Sequence, residues 1–133
     1  MSTFQKYARF HLIVTLSAVA VALILFIIPA TSAGYLAGFS ILSLLGFGEV
    51  YFQKPERKPI ADERDEQINR KALTLAYAVF WICFVGWSVL VTLVFSNEGS
   101  IPMQYVAPVI WIAMSLVTLV HSTSVLAQYG KEA

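Results

Sequence analysis

Asp62-Glu63-Arg64-Asp65-Glu66-Gln67-Ile68-Asn69-Arg70-Lys71-Ala72 is a dense run of charge in an otherwise apolar chain. It separates two pairs of long hydrophobic segments, and that division decides the fold. Of the 133 residues, 58% are hydrophobic and 13% charged. Soluble domains carry about 25% charged residues, so this composition belongs to a membrane protein. Crossing a bilayer as a helix takes about 20 apolar residues. Four segments meet that requirement, at about 10–28, 34–52, 72–95 and 102–127. They lack the strict alternation of barrel strands, and a lone strand cannot satisfy its backbone in lipid. The expected fold is therefore all-α, an integral membrane four-helix bundle in one domain spanning residues 1–133. Two antiparallel hairpins are joined by a charged cytoplasmic loop at 53–71.

The connectors set the orientation. Ala30-Thr31-Ser32-Ala33 is uncharged, and Ser96-Asn97-Glu98-Gly99-Ser100 holds an acid and no base. All nine basic residues fall on the opposite side, at Lys6, Arg9, Lys54, Arg57, Lys58, Arg64, Arg70, Lys71 and Lys131. Basic residues stay cytoplasmic, so both termini and the central loop are expected inside. Tyr35, Tyr51, Tyr105, Trp111 and Tyr129 stand near span ends, where interfacial aromatics sit. A competing reading takes residues before Gly34 as a secretory signal cleaved after Thr31-Ser32-Ala33. The apolar run exceeds the usual length of about 7–15 residues, which argues against it.

The charged run also reads as a helix start. Asp62 is an acidic cap, with Asp65 three residues on. Acids crowd the first turn, where free N–H groups favour negative charge. Glu66 and Arg70 have the i,i+4 order that supports a helix. The third span is thus expected to emerge from the membrane as one or two cytoplasmic turns beginning near Asp62. A solvated, capped helix end accounts for these residue types. A docking surface for a partner or a second copy, built from Asp62, Glu63, Arg64, Asp65 and Glu66, accounts for their density.

Asp62-Glu63-Arg64-Asp65-x-x-Ile68, followed by Lys71-Ala72 and a long apolar helix, resembles uncharacterised small prokaryotic multi-span membrane proteins. These carry a conserved Asp-Glu-Arg-Asp-x-x-Ile motif between paired transmembrane helices. The resemblance covers mainly residues 62–95. It implies the architecture and a prokaryotic plasma (inner) membrane, and it implies no activity.

Helices in lipid associate through small residues and a few polar contacts. Gly34 and Gly38 have the close-approach spacing, and Gly48, Ala76 and Gly86 fall on similar faces. The ionisable residues of the spans are more unusual. Glu49 lies about one turn inside the second span, on its glycine face, and His11 lies on the small face of the first. For a hairpin turning near 30–33, equal rise per residue puts Glu49 level with about Val14–Thr15 and His11 with about Phe52. A His11–Glu49 hydrogen bond or ion pair is expected there. His121 is a further candidate for the same region. No two of these three stand at ligand spacing, so neither a metal nor haem is expected.

The single cysteine, Cys83, excludes an internal disulfide. The net charge of +1 gives no basic field for nucleic acid. There is no Ser/His/Asp set, no pair of intramembrane aspartates and no His-Glu-x-x-His, so an enzyme is not expected and no cofactor is implied. Two functions remain. One is a non-enzymatic accessory or regulatory protein, presenting the charged helix start to a membrane or cytoplasmic protein or to a second copy. The other is a small dimeric proton- or cation-coupled transporter using Glu49.

Overall fold

The computed structural model describes residues 2–28, 34–52 and 63–131. Among them all the regular structure is helical, and no strand occurs. Helix α1 is Thr3–Ile27. It starts a full two turns before the apolar run, because Ser2 and Gln5 form a reciprocal capping box. Gln5 N donates to Ser2 Oγ (3.1 Å) and Ser2 N to Gln5 Oε1 (2.9 Å).

The second apolar segment is not one helix. It runs as α2 (Tyr35–Phe39), a 3₁₀ stretch (Ser40–Leu44) and α3 (Leu45–Phe52). Its composition explains the break. Each helical glycine costs about 1 kcal/mol relative to alanine, and Gly38, Gly46 and Gly48 all fall here. Ser40 also turns its hydroxyl onto the Ala37 carbonyl (2.6 Å), at the junction where the helix tightens.

Helix α4 (Glu63–Phe95) is one element of 33 residues. At 1.5 Å per residue it reaches on the order of 50 Å, longer than a hydrocarbon core of ~30 Å is thick. Glu63, Asp65 and Glu66 occupy its first turn, and Arg70 bonds Glu66 at 2.7 Å. Gly99, with φ of 68°, turns the chain in a backbone shape that glycine adopts without strain. Helix α5 (Met103–Lys131) follows, with Pro108 inside it. Among the described residues, three helices are long and apolar enough to cross a membrane: α1, α4 and α5 from Pro108.

Helix α5 is the centre of the packing, with α1 on one side and α4 on the other. The 35–52 segment lies along α1. Gly38 meets Ala22 near one end and Gly48 meets Phe10 and His11 near the other, so the segment returns antiparallel to α1. One apolar cluster joins Phe4 and Ala8 of α1, Ile68 and Ala72 of α4 and Val125 of α5. A second joins Ala18 and Ala22 to Phe39 and Leu42. Beyond Ala76 the seam loosens, and residues 81–90 of α4 are all exposed. A Cβ on Gly86 would meet nothing within 4 Å, so that glycine mediates no close approach among the described residues.

The charged turn and the polar level beside it

The first turns of α4 have two faces. Asp65 and Ile68 are buried (6% and 5% exposed), as are Ala72 and Ala76. Their spacing follows one helical stripe, and Ile68 and Ala72 press it against Phe4, Ala8 and Val125. Leu75, three residues beyond Ala72, stands off this stripe and is half exposed. Glu63, Arg64, Glu66, Gln67, Arg70 and Lys71 face outward. Arg64 arches back so that its guanidinium lies 5.9 Å from the Tyr129 ring centroid, a cation–π contact with the end of α5. Tyr129 in turn leans on Phe4, with centroids 6.5 Å apart. The turn is therefore docked on one side and presented on the other. Of the five residues expected there, Glu63, Arg64 and Glu66 are exposed. Asp65 is turned inward, because it shares the stripe of Ile68 and Ala72. Asp62 lies outside the described residues.

A polar level sits just inside this end. The Phe4–Tyr129 contact fixes the register of α1 against α5. Two turns along each helix, in opposite senses, stand His11 and Ser122, so equal rise places them at one height. Ser122 is wholly buried, and its Oγ has no hydrogen-bond partner among the described residues. The hydroxyls of Thr15, Thr74, Ser88, Ser115 and Thr118 each bond a carbonyl of their own helix. His11 packs on Tyr7 (ring centroids 4.1 Å) and Phe10 (6.0 Å). Its Nε2 is 3.1 Å from where a Cβ on Gly48 would stand. The missing side chain of Gly48 is what lets the imidazole lie against α3.

Glu49 is the next residue of α3, and its side chain lies outside the described residues; the expected His11–Glu49 contact therefore does too. The register differs from the expected one by about a turn, since His11 meets Gly48 and not Phe52. The offset is already present at Gly38–Ala22.

His121 does not join His11. It points to α4, where its Nε2–H donates to Asn69 Oδ1 at 2.7 Å. Such interhelical bonds contribute about 0.5–2 kcal/mol in membranes. Asn69 had no signal of its own in the sequence, because the pairing depends on which faces of two distant helices meet. No group of three His, Cys, Asp or Glu side chains close enough to hold a metal occurs among the described residues. Gly34 is half-buried at the start of α2, and Cys83 is exposed on α4.

A family model described as "Predicted membrane protein (DUF2178)" matches residues 5–128. No curated protein and no solved structure matches the chain.

Proposed function

The chain belongs to the DUF2178 family of predicted membrane proteins, and from that premise we propose that it is a non-enzymatic accessory or regulatory protein that docks a protein partner on the outward face of α4. The observation that carries this reading is the two-faced turn. Ile68 and Ala72 anchor one side in the core, so Glu63, Arg64, Glu66 and Arg70 are held in fixed relative positions on the other. A merely solvated helix end needs no such anchor.

In this reading the chain crosses the inner membrane of a prokaryote four times, with both termini and the docking face in the cytoplasm. The distribution of Lys and Arg supports that orientation. The 35–52 segment serves as the second crossing. Its α and 3₁₀ rises together reach on the order of 30 Å, the thickness of the hydrocarbon core. Changing Glu63, Arg64 and Glu66 together to Ala is expected to abolish in-cell cross-linking to the partner while membrane insertion stays normal. Wild-type attraction should also weaken with salt, because the charges are exposed. An unchanged cross-linking pattern in the triple variant would remove this reading.

One observation favours a second reading, a small dimeric proton- or cation-coupled transporter. His11 stands against Gly48, beside the backbone position of Glu49 and at the level of the buried Ser122 hydroxyl. Such polar groups within a membrane are expensive and commonly functional. In liposomes, Glu49→Gln should then abolish pH-dependent flux of a cationic substrate. Equal flux in both proteins would exclude a coupling role for Glu49.

A further inference from the structure

The α1/α5 seam is closed at one end by small residues and open at the other. Ala8 and Val125 pack tightly beside the charged turn. Further along, the facing side chains are bulky. Phe39 stacks on Trp111 with centroids 6.4 Å apart and an interplanar angle of 15°. Between α1, Phe39 and α5 lies a cavity of about 650 Å³, walled by Val19, Leu23, Phe26, Phe39, Ile112 and Leu119. We propose that this cavity is a lipid-binding site that takes an acyl chain of a membrane phospholipid from the side.

The size falls in the range of about 300–1,000 Å³ typical of small-molecule sites. Away from Tyr105 at one end, the chemistry favours an apolar occupant. The walls are aliphatic and aromatic, and Ser115 commits its hydroxyl to the Trp111 carbonyl at 2.8 Å. Water finds no partners in such a space, whereas an apolar guest regains the dispersion contacts that a void forfeits. The mouth identifies the source of the guest. Leu23 (57% exposed), Phe26 (70%) and Ile112 (55%) form a rim on the outer surface of two helices that are apolar enough to span. A chain sliding in from the bilayer therefore never crosses water. Tyr105 lines the end of the cavity nearest the α4–α5 turn, where an aromatic hydroxyl meets headgroups. The site rests on α1 and α5 crossing the bilayer and is independent of the docking face on α4.

The test uses the full chain in nanodiscs containing a phosphatidylethanolamine with a diazirine on its acyl chain, followed by peptide mapping of the photoproducts. Val19, Ser115 and Leu119 are reached through the cavity, while the exposed Ile82, Val85 and Val89 of α4 report ordinary contact with surrounding lipid. Label at the cavity positions is expected in the wild type. Val19→Phe, which fills the space, and Leu23→Trp, which blocks the rim from an exposed position, should each lower it by about tenfold, because an overfilled site cannot take the chain. Leu93→Trp, far out on α4, should leave it unchanged. Label on α4 alone, or cavity label indifferent to both variants, would overturn the site. Label on neither would overturn the membrane crossing itself.

Discussion

Gly38→Ala is expected to destabilise the protein sharply, although it adds a single methyl group. The Cβ would stand against Ala22 N, 2.6 Å from Ala22 Cα and 2.9 Å from Ala22 Cβ. Two of these neighbours are backbone, which cannot rotate away, so α2 must lift off α1. Overpacking of this kind costs about 1–3 kcal/mol and sometimes more. Separating the backbones also uncovers Phe39 and Leu42 from Ala18 and Ala22. Gly46→Ala is the matched control, because a Cβ there meets nothing within 4 Å. Its expected effect is neutral or stabilising by up to about 1 kcal/mol, the gain in helix propensity. Thermal unfolding of both variants in mild detergent, followed by circular dichroism, separates the two. Similar midpoints for Gly38→Ala and Gly46→Ala would refute the close approach.

Ile68→Ala should be the second large effect, and it reaches function without touching a charge. Ile68 is 5% exposed and is the apolar anchor of the charged turn. Truncating a buried isoleucine to alanine costs about 2–5 kcal/mol, including the cavity left behind. Since the anchor lies near the N-terminal end of α4, much of that loss should appear as local opening. Hydrogen exchange across 63–71 should accelerate while the rest of α4 stays protected. Every outward charge remains, yet partner binding should fall because their spacing is no longer fixed. The neighbouring Gln67→Ala, on the exposed face, should change stability by no more than about 0.5 kcal/mol. Full binding by Ile68→Ala would show that charge suffices and that docking is incidental.

Some features were readable before any coordinates. Long apolar runs have few physical solutions, so α1, α4 and α5 follow from composition. The extension of α4 to Glu63 follows from acids gathered where free N–H groups attract them. Ser2-x-x-Gln5 is an equally explicit helix start, but it precedes the apolar run and so escapes a reading led by hydrophobicity. The break in 35–52 was present as glycine and serine content, yet apolarity alone made it look like a uniform span. Asp65 shows a different limit. Its charge argues for solvent, while its place on the stripe of Ile68 and Ala72 puts it inside, and the tertiary contact decides. The Asn69–His121 bond and the cavity beside Phe39 depend on register and on the spread between helices, which no single segment encodes.

The most direct measurement is a photo-cross-linking scan in living cells, placing a photoreactive residue at each position from Glu63 to Ala72 in turn. Glu63, Glu66, Gln67 and Arg70 should capture one and the same protein. Asp65, Ile68 and Ala72 should give only links within the chain, to α1 and α5. The alternation is the signature of a turn docked on one face and presented on the other. Capture that is absent throughout, or uniform at every position, would contradict it.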